Sequence, residues 1–345
     1  MSRFVIKTMV LLFLAMNVAP ASGAESIRVG FFPNLTHAQA LTGKATGHFE
    51  KKTGARIEWR SFNAGPSAME ALISGAIDIA YVGPNPAVNA YIRSNGTALR
   101  IIAGAASGGA ALVVRQDGGI KSVKDFRGKR IASPEFGNTQ DIALRHWIKT
   151  QGFVPNRDLK IMTIKNPDIL MLFQQKSLDA AWVPEPWVTR LLQEGSGAIF
   201  LDETKLWPEG KFTTAVLVVR TDFLQRKRDL VKRFVNAHVE LSEWIRLHPN
   251  EAKKTINGEL ANIMKKPLPE KILNESFPRI TITYDPFVSS IMSSARHAWE
   301  LGYLPGVGIN PPDLAQAFDL SLLNETLRKR HFPEVRQMKP AKRDR

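Results

Sequence analysis

The sequence predicts an α/β protein of two similar lobes joined by two hinge strands, with strands and helices alternating in each lobe. Three observations predict it. Gly75-Ala76-Ile77-Asp78-Ile79-Ala80-Tyr81-Val82 runs into Gly83-Pro84-Asn85-Pro86, and Lys176-Ser177-Leu178-Asp179-Ala180-Ala181-Trp182-Val183 runs into Pro184-Glu185-Pro186. Each is a short apolar run with an early Asp, a large aromatic, a Val and a Pro-x-Pro turn carrying one polar side chain. The elements around these runs repeat in the same order, and both copies end in Leu-Val-Val-Arg, at 112–115 and 217–220. A period of about a hundred residues means two lobes rather than a solenoid, whose repeats run about 20–50 residues.

The elements follow in order. Arg28-Val29-Gly30-Phe31-Phe32 and Arg130-Ile131-Ala132-Ser133 read as the first strand of each copy. Each leads through a loop to a Thr, Thr36 or Thr139, expected to cap the helix that follows. Those helices stop at Gly47 and Gly152. The apolar-alternating runs 56–62 and 159–164 read as second strands. Helices over 66–74 and 167–175 each open with Pro in the first turn. Strands that alternate with short helices imply parallel sheets. Beyond Arg220 the pattern turns helical, over 222–248, 251–263 and 286–303, with Pro249, Pro267 and Pro305 as stop signals. These helices are expected to pack on the first lobe. The chain then leaves that lobe near 112–115 and returns near 217–220, which places the two Leu-Val-Val-Arg strands side by side as hinges.

The expected organisation is a leader at 1–24, a first lobe of 25–112 with 217–327, a second lobe of 113–216, and a basic tail at 328–345. In the leader, Arg3 and Lys7 precede a short apolar stretch, and Ser22-Gly23-Ala24 supplies small residues for cleavage after Ala24. A membrane anchor needs about 20 apolar residues, and Asn17 interrupts this run early. The chain has no cysteine, so disulfides, a lipid-bearing Cys, thiolate metal sites and a Cys nucleophile are excluded. Net charge is +15. On an exported, periplasmic protein that excess does not imply nucleic acid as a partner, and it bears on solubility and encounter more than on ligand identity. The tail carries eight Lys/Arg against Glu334 and Asp344 and reads as a solvated, disordered end.

Ligands of open parallel sheets sit beyond the carboxyl ends of the strands. The loops there are 33–37, 83–86, 107–110, 136–140 and 184–187. Helix N-termini offer unpaired N–H groups and a partial positive charge, so an oxyanion fits without a Lys or Arg. Asn138, Thr139 and Gln140 place three polar side chains at one such end, where capping and anion contact are compatible. Ser107-Gly108-Gly109 allows close backbone approach, or is a plain loop. Trp182, like Tyr81, reads first as core and second as a pocket wall. Glu185 accepts from a ligand amine, pairs with an Arg across the cleft, or faces solvent. His37 donates to an anion or caps a helix. Catalytic motifs are missing: there is no His-Glu-x-x-His, no Gly-x-Ser-x-Gly and no phosphate loop. The seven His lack the spacing of a metal site.

Gly83-Pro84-Asn85-Pro86, Gly104-Ala105-Ala106-Ser107-Gly108-Gly109, Gly137-Asn138-Thr139-Gln140-Asp141 and Trp182-Val183-Pro184-Glu185-Pro186-Trp187 resemble the substrate-binding proteins of nitrate/sulfonate/taurine-type ABC transporters. The resemblance covers about residues 26–305, and its last motif is similar to the branch that binds aliphatic sulfonates. It implies a type II periplasmic binding protein fold, no catalysis, no cofactor or metal, and delivery of a small organic anion or zwitterion to an inner-membrane permease by a monomer. It carries over as binding positions Asn34, His37, Asn85, Ser107, Gly108, Gly109, Asn138, Thr139, Gln140, Trp182 and Glu185. Some relatives bind or transform thiamine-pyrimidine precursors, which gives an alternative reading. The enzymes among them use a Cys-rich segment that this chain lacks.

Overall fold

The computed structural model describes residues 25–304 and 313–336. The expected leader and residues 337–345 of the expected tail lie outside the described residues. The first sheet begins with β1 (Ser26–Phe31), β2 (Arg56–Ser61), β3 (Ile79–Val82) and β4 (Leu99–Gly108). Helices α1 (Ala38–Thr46), α2 (His48–Thr53), α3 (Gly65–Ile73) and α4 (Pro84–Arg93) connect them. The chain then crosses into a second sheet of β5 (Ala110–Arg115), β6 (Arg130–Ser133), β7 (Lys160–Thr163), β8 (Ala180–Pro184) and β9 (Gly197–Asp202). Its helices are α5 (Thr139–Thr150), α6 (Asn166–Gln174) and α7 (Trp187–Glu194). β10 (Thr213–Arg220) returns to the first sheet. After it come α8 (Thr221–Arg226), α9 (Arg228–Leu247), α10 (Pro249–Met264), α11 (Glu270–Ser276), β11 (Ile280–Ile282), α12 (Val288–Glu300) and α13 (Ser321–Lys329).

Strand order is β11-β4-β10-β3-β1-β2 in the first sheet and β7-β6-β8-β5-β9 in the second. Both sheets are mixed. β1 runs parallel to β2 and β3, whereas β10 is antiparallel to both β3 and β4. β6 runs parallel to β7 and β8, whereas β5 is antiparallel to β8 and β9. The expectation of purely parallel sheets therefore fails at the strands that carry the crossovers.

The Leu-Val-Val-Arg strands correct a second expectation. They do not lie side by side: the first is in β5 of the second sheet and the other in β10 of the first. Each is the antiparallel member of its own sheet, so the repeated tetrapeptide marks equivalent places. The chain changes sheets at Gly108 and Gly109, both with positive φ, and again before Thr213. The expected lobe limits at 112 and 217 therefore fall inside strands. Burial on both faces explains the unbroken apolar run. Leu112 and Val114 pack on one face of the second sheet with Trp147 and Trp182. Ala111 and Val113 pack on the other with Phe173 and Val188.

The repeated Asp has a structural role. Asp78 accepts from the Arg28 backbone N–H at 3.0 Å and from its guanidinium at 2.9 and 2.6 Å. Asp179 does the same for Arg130, at 2.9, 3.1 and 3.1 Å. Each carboxylate thus ties the end of a third strand's lead-in to the start of the first strand. The repeated aromatics are core residues with satisfied polar atoms. Tyr81 bonds His238 at 2.9 Å, and the Trp182 indole donates to Glu203 at 2.7 Å.

Three further expectations are corrected. Thr36 and Thr139 are not the capping residues: Thr36 lies in a 3-10 turn (Leu35–His37), and the cap of α5 is Asn138. The long helix expected over 222–248 is two, broken at Lys227 (φ −129°, ψ 38°). The tail is folded as far as 336. The Asn324 amide satisfies both backbone groups of Val335, at 3.0 and 2.9 Å, and Val335 itself is buried.

Candidate functional site

The two lobes meet across a shut cleft. Trp187, at the start of α7, donates its indole N–H to Asn34 Oδ1 at 3.1 Å. Gly83, the cap of α4, comes so close to α5 that a Cβ there would lie 2.2 Å from Thr139 Oγ1. Only glycine permits that approach. Farther out, His146 of α5 stacks on His297 of α12 with centroids 3.6 Å apart.

Between the lobes lies a small cavity of about 20 Å3 lined by Phe32, Asn34, Thr36, His37, Asn63, Gly83, Asn138, Gln140, Asn166, Pro184 and Thr214. That is room for about one water molecule, so in this shut form the lobes close far more tightly than around a ligand pocket of roughly 300–1,000 Å3. Its wall is polar and carries no Lys, Arg, Asp or Glu. Charge comes instead from backbone. Asn63 immediately precedes the cap of α3, Gly83 caps α4, Asn138 caps α5 and Asn166 opens α6. His37 is in turn the cap of α1, so five helix N-termini, three from the first lobe and two from the second, border one chamber. Each contributes unpaired N–H donors and about half a positive charge.

Side chains extend that pattern. His37 is fully buried, and desolvation lowers its pKa to about 3, so its imidazole is neutral. Its Nδ1 accepts from the Phe32 backbone N–H at 3.1 Å, which leaves Nε2 to carry the hydrogen. An uncharged N–H donor results. Asn138 Nδ2 donates to Gln140 Oε1 at 3.2 Å, linking two wall residues. Thr139 Oγ1 and Asn166 Oδ1 are buried without a hydrogen-bond partner. Such groups are rare in native proteins and point to a missing partner.

The structure brings Asn34, His37, Asn138 and Gln140 together on the chamber wall, with Thr139 beside them and its hydroxyl against Gly83. It places the other expected residues elsewhere. Asn85 exchanges hydrogen bonds with Ser294, at 3.2 and 2.7 Å. The Ser107 hydroxyl accepts from the Phe212 N–H at 3.3 Å, and Gly108 and Gly109 fit closely against Arg279 and Ile280. Trp182 is wholly buried in the second lobe's core. Glu185 is buried and accepts from the Thr189 N–H and hydroxyl at 3.1 and 2.9 Å, with Arg279 Nε at 2.9 Å. Burial pushes its carboxyl above the ordinary range, against the pull of Thr189 and Arg279. Its partner is thus an Arg approaching from the first lobe's side, as one of the three readings had it. Asn63, Asn166 and Thr214 were missed. The first two follow β2 and β7, whose carboxyl-end loops are not among the five expected to hold a ligand.

Two mixed sheets joined by crossing strands, with a polar chamber between them, define the architecture of the two-lobed periplasmic binding proteins. Within it, residues 21–260 match the NMT1-like family, and the chain belongs to that family. It is 26% identical over 299 residues to the taurine-binding periplasmic protein of Escherichia coli K12, covering 82% of this chain and 90% of that one. The fold is similar to that of the alkanesulfonate-binding protein SsuA from Xanthomonas axonopodis pv. citri bound to MOPS, with TM-score 0.69 and 19% identity over 86% of this chain and 99% of that one. It is also similar to the nitrate-binding protein NrtA from Synechocystis PCC 6803, with TM-score 0.75 and 17% identity over 90% of each chain.

Proposed function

We propose that this protein is the periplasmic solute-binding component of an ABC importer, exported by a leader cleaved after Ala24. It takes a small organic anion of the sulfonate class between its lobes and presents the shut form to an inner-membrane permease. The observation that carries this reading is the chamber itself, bordered by five helix N-termini and walled without a single charged side chain. Neutral N–H and O–H donors stabilise an oxyanion while leaving it able to depart, which transport requires. We assign the head group to Asn34, His37, Asn138, Thr139 and Gln140, joined by Asn63, Asn166 and Thr214. The relatives' ligands, taurine, an alkanesulfonate and nitrate, all present acceptor oxygens.

A calorimetric screen over alkanesulfonates, taurine, nitrate and a pyrimidine precursor tests the reading. A sulfonate is expected to bind and to raise the melting temperature by preferential binding to the folded state. Heat from none of the sulfonates, or turnover of any compound, contradicts it.

A further inference from the structure

The lobes also meet away from the chamber, where α5 of the second lobe lies against α12 of the first. Each helix is rooted in its own core: Trp147 and Ile148 of α5 pack in the second lobe, Ile291 and Ala295 of α12 in the first. Ser294 fixes α12 further through its two hydrogen bonds with Asn85 of α4. Across the seam His146 and His297 stack almost parallel, with 10° between the ring planes and 3.6 Å between centroids. Trp207, on the segment by which the chain returns to the first lobe, lies 5.8 Å from the His297 ring. A cavity of about 230 Å3 lies beside the pair, lined by both His and by Trp147, Glu203 and Trp207 among others, with room for water to reach the rings.

The charges around this stack are unevenly placed. Glu300 Oε2 lies 3.3 Å from His146 Nε2, and Lys149 Nζ donates to the Glu300 carbonyl at 2.9 Å. His297 has the His146 ring on its face and Arg296 on its own helix, with Glu300 favouring its charge. Glu203 on the cavity wall is buried, accepts from Trp182 and is raised to about 7, so in acid it is neutral and supplies no counter-charge. A first proton on the pair is therefore held by His146 beside Glu300, whereas a second, on His297, meets a cation across the stack. Burial first, then His146, pushes His297 down to about 4. Burial also lowers His146, against the pull of Glu300 and with Lys149 adding to it. Once the lobes part, both rings meet solvent and return toward the ordinary value of about 6.5.

We propose that His146 and His297 form an acid-sensitive clasp, which holds the lobes shut while at most one ring is charged and favours their parting once both are. The clasp reaches the chamber through α5, because Asn138 and Gln140 lie about two turns before His146 on that helix. Swinging α5 away from α12 withdraws both from the first lobe's half of the wall, so acid loosens the grip on a solute without altering the groups that touch it. Because the shut form holds the lower value at His297, its advantage is complete above about 6.5 and is lost as pH falls from there toward about 4.

Pulsed electron spin resonance between labels on the two lobes tests this. The chain has no cysteine, so Lys51→Cys in α2 and Met171→Cys in α6, both exposed positions, take the labels alone. The ratio of shut to open distances is read at about pH 7.5 and about pH 5.5, with and without His297→Phe, which keeps an aromatic face against His146 and removes the proton. No solute is added, so the outcome is independent of the ligand proposed above. The chamber's His37 is common to both proteins, and the difference between them reports the seam. On acidification the ratio is expected to fall about tenfold further with His297 present than with Phe, the effect of one imidazole moved from about 6.5 to about 4. Circular dichroism should show unchanged helix at both pH values. A ratio that ignores pH when His297 is present, an equal or larger fall in His297→Phe, or separation that comes with loss of helix overturns the clasp.

Discussion

Single residues decide what the chamber recognises. Asn138 caps α5 and lines the cavity, so it both frees backbone donors and presents its own. Hydrogen bonds to a charged group contribute about 1.5–3 kcal/mol each. Asn138→Ala or Asn34→Ala should therefore weaken sulfonate binding by roughly 10–100-fold in calorimetry, with Asn85→Ala changing it little because that amide is committed to Ser294. A second residue titrates. Burial raises the Glu203 carboxyl to about 7 against its ordinary 4.5, while Trp182 and Trp207 oppose the shift. Between those values the folded chain holds a proton that the unfolded chain has released, so stability falls as pH rises from about 4.5 to about 7 and stays low above. Glu203→Gln should remove that loss, gaining up to about 3 kcal/mol at pH 8 and nothing at pH 4. Denaturant melts at the two pH values check it; an equal effect at both would refute the assignment. His37 runs in the opposite sense. It stays neutral in the folded state above about 3, so its contribution to stability is lost as pH falls below about 6.5.

At the scale of elements, most of the architecture was readable because the two copies could be read against each other. The strands before and after each helix, the Pro-opened helices α3 and α6, and the corresponding Asp, aromatic and turn positions all stood out by phase. What escaped had no partner in the other copy, or was too short to carry a period. β11 has three residues and α11 seven, and the break at Lys227 comes without Gly or Pro. Within the site, His37 and the Asn138 region were found from their loops. Asn63 and Asn166 follow the same rule, Asn166 directly before a helix-opening Pro and Asn63 three residues before one, so the repeat already pointed to them. Thr214 lies within β10, where nothing in the sequence distinguishes it from its neighbours. Trp182 and Glu185 were carried over as binding positions only by the resemblance; the residues alone read Trp182 first as core and allowed Glu185 an Arg partner, which is where the structure has them. The repeated Asp residues make the copies comparable in energy as well. Asp78 is buried beneath two cations, Arg28 at 2.6 Å and Arg220 at 3.3 Å, whereas Asp179 has the more exposed Arg130 alone. Asp78→Ala should cost about 2–3 kcal/mol and Asp179→Ala about 1 kcal/mol in urea unfolding. Equal losses would show that the two lobes do not use the pair differently.

For the molecule as a whole, the ends of the two sheets face each other, with aromatic and apolar contacts such as His146 on His297 and Ile142 in the first lobe's core joined by polar ones. Arg279, just before β11, reaches both Glu185 and Asp202 of the second lobe, the latter at 2.7 Å. Asn34 and Trp187 meet over the chamber. With only two crossings between them, at Gly108-Gly109 and before Thr213, such a pair of lobes is expected to part and close as rigid bodies. A solute that touches both halves selects the shut form, because only there are all of its partners present. The account rests on that solute lying in the chamber. Anomalous sulfur density from crystals grown with an alkanesulfonate or its amino analogue locates it directly. The sulfur is expected within hydrogen-bonding reach of Asn34, Asn138 and Gln140, with both lobes in contact with the ligand. Sulfur bound on one lobe alone, or outside this cavity, would contradict the account.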